Sequence, residues 1–184
     1  MTPAPRPLLS ALPVILDTLE AFGQPFALIG GLAVVLRARP RLTRDLDFVV
    51  SVPPGQVDAL LECAARTGLS WDPAEVAQFA PGGLLRLWSP PDAARGVSLD
   101  LLFADDPLSV SLLARARPVE VLGRLVPVAT VEDLILTKLD ANRPQDLDDV
   151  VALVDAHAGA LDRAYLRAWA TRLDLSARLA AFTG

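Results

Sequence analysis

An apolar run at residues 26–29 passes without a polar break into Gly30-Gly31 and then into a second apolar run. A chain that turns sharply between two buried segments needs residues without a Cβ, so the pair predicts a tight strand-to-helix passage. Thirteen residues separate it from Asp45-Leu46-Asp47, where a strand pattern resumes. Asp45 and Asp47 are two apart, so on a strand both side chains leave the same face. A later run at 97–103 alternates so that Val97, Leu99, Leu101 and Phe103 share one face, and Ser98, Asp100 and Leu102 the other. An unpaired carboxylate among apolar neighbours is costly, and a cation removes that cost. Asp45, Asp47 and Asp100 are therefore candidate ligands for one or two Mg²⁺ or Mn²⁺ ions, hard cations that complete their shells with water and substrate phosphates. Gly30 and Gly31, opening a helix, are the candidate N–H donors to phosphate.

The 184 residues suffice for a sizeable core, and we expect a single domain over 1–184, with a core at about 8–128 and a helical part at about 130–184. Apolar residues make up 52% of the chain. The longest apolar-plus-glycine stretch, residues 26–36, is nevertheless far short of the ~20 residues that a membrane-spanning helix needs. The proline-rich start leads into an amphipathic segment rather than a signal-peptide core. Cys63 stands alone, which excludes an intrachain disulfide and fits a reducing cytoplasm.

A net charge of −5 argues against coating nucleic acid through bulk electrostatics. Arg37, Arg39, Arg41 and Arg44 cluster locally just before Asp45. They either face an anionic ligand, Arg44 being the candidate nucleotide contact, or form a solvated helix-to-strand turn. Sixteen arginines stand against a single lysine, Lys138. A lysine kept against that bias suggests a use for a compact, flexible point charge, for example on a phosphate.

Apolar spacing predicts a helix from Leu8 to Phe22, a strand at 26–29, a helix at 32–39, a strand at 45–50 and a helix at 56–66. Strands follow at 84–88 and 97–103, with residues 69–83 undefined, then a helix at 107–116 and a hairpin around Gly123-Arg124. Thr130, three residues before Asp133, reads as the N-cap of a helix interrupted at Asn142-Arg143-Pro144. Pro144 opens the next helix, to about His157, and further helices are expected at 162–172 and 173–182. Asp148, Asp149 and Asp155 read as a solvated face, although Asp149 shares a helical side with Asp146. His157 reads as a surface or helix-end residue, and Trp71, Trp88 and Trp169 as core or groove residues.

This order of elements, with Gly30-Gly31, Asp45-x-Asp47 and Asp100, resembles the nucleotidyltransferase superfamily related to DNA polymerase beta. The run from Lys138 to Asp149, with Arg143 and Asp146 within it, looks like the lysine and arginine-aspartate motifs of AbiEii-type nucleotidyltransferases. The resemblance covers most of the chain. It implies an α/β (α+β) fold, a small mixed sheet with helices packed on it and a C-terminal helical extension. It also implies a cytoplasmic, Mg²⁺-dependent enzyme moving a nucleoside monophosphate from an NTP to RNA, protein or a small molecule, as a toxin with an antitoxin partner. Catalytic roles would fall to Asp45, Asp47, Asp100, Lys138 and Asp146, with Gly30, Gly31, Arg44 and Lys138 on the nucleotide. Asp100 would help take the acceptor's proton, and Asp146 would orient Lys138 or the acceptor. Three other readings stand beside it: nucleotidylation of a small cationic antibiotic by the same core, which the acidic balance would suit; a nucleotide- or metal-binding module acting as sensor or partner without turnover; and carboxylates that merely pair with the neighbouring arginines.

Overall fold

The computed structural model describes residues 6–90 and 96–183; the proline-rich start before Arg6 lies outside them. The chain runs α1 (Arg6–Phe22), β1 (Phe26–Ile29), α2 (Gly30–Arg37), β2 (Leu46–Val50), α3 (Val57–Arg66) and α4 (Pro73–Phe79). It continues through β3 (Leu84–Trp88), β4 (Ser98–Phe103), α5 (Pro107–Arg115), β5 (Arg117–Val121) and β6 (Arg124–Val128). Four helices close it: α6 (Val131–Ala141), α7 (Pro144–His157), α8 (Arg163–Arg172) and α9 (Ser176–Thr183). The strands form one mixed six-stranded sheet in the order β3-β4-β2-β1-β6-β5. β2 and β4 are parallel, as are β1 and β6, while the other neighbours are antiparallel. This is the expected mixed sheet with packed helices.

The alternation read from the sequence sorts the sheet faces. Leu46, Phe48 and Val50 of β2, Leu99 and Leu101 of β4, and Leu85 and Leu87 of β3 are fully buried. Burying a side chain such as Phe48 contributes roughly 1.5–3 kcal/mol. The intervening Asp47, Asp100 and Arg86 are only partly buried, and Leu102 and Trp88 are exposed. One face of the β3-β4-β2 half is thus core, and the other carries the polar residues. Trp169 is buried and Trp71 packs on the core, but Trp88 sits on that open face.

Several boundaries differ from expectation for local reasons. α2 begins at Gly30 itself, and Asp45 stands one residue before β2 rather than within it. The β5–β6 turn is Leu122-Gly123, both at positive φ (53° and 77°), and Arg124 already belongs to β6. Two adjacent residues with φ above zero match the twist of a hairpin. α4 forms in the undefined region because Asp72 caps it, accepting from the Ala74 N–H at 2.8 Å, with Pro73 in first position. Leu173 follows α8 as its cap rather than opening α9.

Thr130 caps α6, worth ~1 kcal/mol. Asp133 does not complete a capping box: its carboxylate accepts from the Thr130 hydroxyl (2.6 Å) and from the Tyr165 hydroxyl (2.5 Å). Burial, followed by the bond to Asp133, pushes the Tyr165 phenol up to about 12. Cys63 is buried in α3, and His157 ends α7 with Nε2 2.6 Å from the Arg37 carbonyl. Among the described residues no helix is long and apolar enough to cross a membrane.

Candidate active site

The site forms where β1 ends, α2 begins and β2 lies alongside β4. Gly30 adopts φ +62°, and Ile29 and Asp47 are register partners on β1 and β2. A Cβ on Gly30 would lie 1.9 Å from Asp47 Oδ2, so only glycine admits both the backbone and the carboxylate. A Cβ on Gly31 would lie 2.5 Å from Thr43 Oγ1 and 2.7 Å from Arg41 Nη2. The glycine pair is therefore a cradle for Asp47 and for residues 41–43.

Parallel pairing sets Asp47 directly beside Asp100. Burial pushes the Asp47 carboxyl above its ordinary range, and the charges of Asp100 and Asp45 push it further. Lys138 and a backbone hydrogen bond from Gly31 act in the opposite direction without cancelling the rise. Asp45 is exposed and accepts from the Ser98 hydroxyl at 2.5 Å.

Asp100 is not free. On the edge strand β3, Arg86 is its register partner, and Nε and Nη2 each donate to one Asp100 oxygen at 2.7 Å. The hydrogen bond to Asp100 raises the Arg86 guanidinium above its already high range.

Two helices deliver the cations. Asn142 takes a left-handed conformation (φ 52°) that ends α6, and Arg143 caps α7. The turn folds α7 back onto α6, so Lys138 Nζ lies 2.8 Å from Asp146 Oδ1 and 3.0 Å from Asp149 Oδ2. Arg143 Nε donates to Asp146 Oδ2 at 2.6 Å. Burial alone would raise the Asp146 carboxyl, but the hydrogen bonds from Arg143 and Lys138 outweigh it and hold it at about 2. Lys138 and Asp146 are therefore a buried pair.

Asp149 corrects the expectation of a solvated face: it is 2% exposed and paired with Arg41 as well as Lys138. Arg41 Nη2 donates to Asp149 Oδ2 at 3.0 Å, whereas Nε, 2.8 Å from Oδ1, is an ion-pair contact without hydrogen-bond alignment. Helical spacing from Asp146 was the available signal for Asp149; Arg41 was visible only as one of four clustered arginines. Arg37 turns away to the Val128 and Ala129 carbonyls and Arg39 reaches the Asp148 carbonyl, while Arg41 and Arg44 line the site. Nothing in the spacing pointed to Arg86 or Ser98 as partners of the carboxylates.

All of the sequence-selected residues but Gly30 line one polar cavity of about 560 Å³; Gly30 lines an adjoining one of about 220 Å³ with Asp47, Lys138 and Asp146. Among the described residues, no group of three or more Asp, Glu, His or Cys side chains is placed so that it could hold a metal ion as it stands. The donor chemistry still fits a hard divalent cation: the oxygens are carboxylate, and the crowding at Asp47 is what a cation would relieve.

A family model described as nucleotidyl transferase AbiEii toxin, Type IV TA system, matches residues 14–182. The chain belongs to this family. As an AbiEii nucleotidyltransferase it shares its fold with a nucleotidyltransferase-like antigenic protein from Paracoccidioides brasiliensis (14% identity, 98% of this chain and 93% of that one, TM-score 0.58). The antibiotic-resistance factor ANT(2″)-Ia is similar over 95% of this chain and 94% of its own, at 19% identity and TM-score 0.52. The lincosamide antibiotic adenylyltransferase LnuA, solved with lincomycin, matches over 80% and 96% of the two chains, at 17% identity and TM-score 0.52. No curated protein sequence is a significant match to this AbiEii nucleotidyltransferase.

Proposed function

We propose that this nucleotidyltransferase moves a nucleoside monophosphate from an NTP to an acceptor hydroxyl, with Asp45, Asp47 and Asp100 holding Mg²⁺ or Mn²⁺, as a toxin paired with an antitoxin. The observation that carries the reading is the convergence of Asp45, Asp47 and Asp100 at one end of two parallel strands, beside Gly30-Gly31. The metal would neutralise charge on the triphosphate as it shifts to the leaving pyrophosphate. The acceptor oxygen attacks the α-phosphorus, the bond to pyrophosphate breaks, and the acceptor's proton passes to an Asp100 oxygen released from Arg86. Arg44 and Lys138 supply positive charge for the phosphates, and Gly30 and Gly31 let the chain come close to them. Asp146, held at about 2, stays ionised and is a positioning group for Lys138 rather than a base.

The cavity lining does not single out a cationic drug over a neutral or anionic acceptor, an RNA or a protein. Arg41, Arg44, Arg86, Lys138 and Arg143 line the cavity with Asp45, Asp47, Asp100 and Asp146, and with Asp149 paired to Arg41 and Lys138 the charges balance. A cationic acceptor would meet no excess of negative charge.

The test is incubation with each labelled NTP, Mg²⁺ or Mn²⁺, and total RNA or cell extract, comparing the parent with Asp45→Ala plus Asp47→Ala. Label should move to RNA or protein only with the parent. Equal labelling by the double variant would refute the metal site, and metal-dependent NTP binding without labelling would indicate a binding module.

A further inference from the structure

We infer that Arg86 is a nucleotide-phosphate ligand kept in reserve on Asp100, so that metal and nucleotide load together rather than one after the other. The inference rests on the metal and nucleotide reading above and adds to it a residue and an order of events.

The pairing is built into the fold. Arg86 and Asp100 are register partners on β3 and β4, so their side chains leave the same face of the sheet, the one opposite buried Leu85, Leu87, Leu99 and Leu101. Both Asp100 oxygens are engaged at 2.7 Å, a bidentate fork that takes one lone pair of each oxygen and sets a guanidinium charge beside any cation that would share them. Asp45 and Asp47 have no cation within ion-pair distance among the described residues, in contrast to Asp100, Asp146 and Asp149. Asp45 and Asp47, each hydrogen-bonded but without an ion-pair partner, thus differ from Asp100, which has one.

Arg86 is also poised to leave. Its side chain is 40% exposed against 19% for Asp100, it sits on the edge strand, and it lines the same cavity as Asp45 and Asp47. A guanidinium fork fits phosphate oxygens as well as carboxylate oxygens. A divalent cation arriving alone must either share Asp100 with the Arg86 charge or displace it with no new partner to receive it. An arriving triphosphate offers Arg86 a new anionic partner and frees Asp100 at the same time. Metal and nucleotide therefore tighten each other's binding, by the same factor in each direction.

Mn²⁺ binding to the full chain, measured by electron paramagnetic resonance and calorimetry with and without a non-transferable α,β-methylene NTP analogue, tests this. In the parent, the analogue should tighten Mn²⁺ by at least about tenfold. Arg86→Ala should bind Mn²⁺ alone at least about tenfold more tightly than the parent, bind the analogue more weakly, and lose most of the mutual gain. Loss of a positive charge beside the carboxylates raises Mn²⁺ affinity somewhat in any case, so the reserve role is read from a rise well beyond that. Arg44→Ala removes equal charge from the same cavity without uncovering a carboxylate, and should shift Mn²⁺ affinity by less than about threefold. Arg86→Lys, which cannot grip both oxygens, should shift Mn²⁺ affinity in the same direction as Arg86→Ala and carries the test if the alanine variant does not fold. If the parent binds Mn²⁺ and analogue but both Arg86 variants bind Mn²⁺ alone no more tightly, the reserve role is overturned while the site reading stands. If the parent binds neither, both are overturned.

Discussion

Replacing Asp149 by alanine removes one carboxylate from a buried chain of charges, and the structure sets the size of the loss. Asp149 is 2% exposed and lies 3.0 Å from Lys138 Nζ and 2.8 Å from Arg41 Nε. Removing one member of a buried ion pair costs roughly 3–5 kcal/mol, because the partner stays buried without compensation. Lys138 keeps Asp146 at 2.8 Å, so the stranded cation is chiefly Arg41, whose side chain is 19% exposed. We therefore expect the low end, about 3 kcal/mol, or a fall of roughly 6–12 °C in Tm for a chain of this size. Urea unfolding with an unchanged slope would report the loss as stability alone. In a double-mutant cycle, Arg41→Ala and Asp149→Ala should couple by about 1–3 kcal/mol. The exposed neighbour Asp148, substituted the same way, should stay within about 0.5 kcal/mol of the parent. An Asp149→Ala loss as small as that of Asp148→Ala, with no coupling to Arg41, would refute the buried network and restore the solvated face.

Gly30→Ala places a methyl 1.9 Å from Asp47 Oδ2 at φ +62°, so we expect a loss above the roughly 1–2 kcal/mol of the backbone cost alone, together with loss of nucleotidyl transfer. Full activity and an unchanged Tm would show that the cradle is dispensable. Asp47→Asn should raise stability at neutral pH, since it relieves burial and repulsion by Asp45 and Asp100, while abolishing Mg²⁺-dependent transfer; a destabilised variant would contradict the crowding. Asp146 gives the acid limb: its folded value of about 2 lies below the ordinary 3.8. Its stabilisation is therefore full above the ordinary value and is lost as pH falls from about 4 through about 2, an effect of about 2 kcal/mol. Chemical unfolding between about pH 5 and pH 2 should show a shallower acid limb in Asp146→Asn than in the parent, and parallel limbs would exclude the linkage.

The elements that place the site were legible because each has a local cause. Period-2 burial marked β2 and β4, Gly30-Gly31 marked the passage into α2, and Thr130 and Pro144 marked the starts of α6 and α7. Asp45, Asp47 and Asp100 could be grouped because strand periodicity predicts which side chains share a face. Contacts between elements far apart in sequence were not legible. Arg41 meets Asp149 across 108 positions, a pairing that depends on α7 folding back over the loop before β2. Arg86 is only 14 positions from Asp100, yet its pairing depends on β3–β4 register, which no single-strand pattern contains. α4 was missed because its seven residues are too few for a helical stripe.

Within the site, the choice between arginine and lysine has a geometric reason. Arg86 and Arg143 each grip one carboxylate through two nitrogens, and Arg41 lies along Asp149 in a similar way. A planar fork suits that task, because its donors are parallel and matched to two oxygens of one group. Lys138 faces a different demand: carboxylates from two successive turns of α7 approach one nitrogen at 2.8 and 3.0 Å. An ammonium spreads its three donors tetrahedrally and serves two separate acceptors with one still to spend. The spare donor is what a phosphate in the cavity would require, since Lys138 lines it beside Asp47 and Arg44. On this view the acids of β2 and β4 and the cation of α6 are one device. On our proposal the sheet would concentrate negative charge for a metal, α7 holds Lys138 through Asp146 and Asp149, and the nucleotide would bring both sets into use.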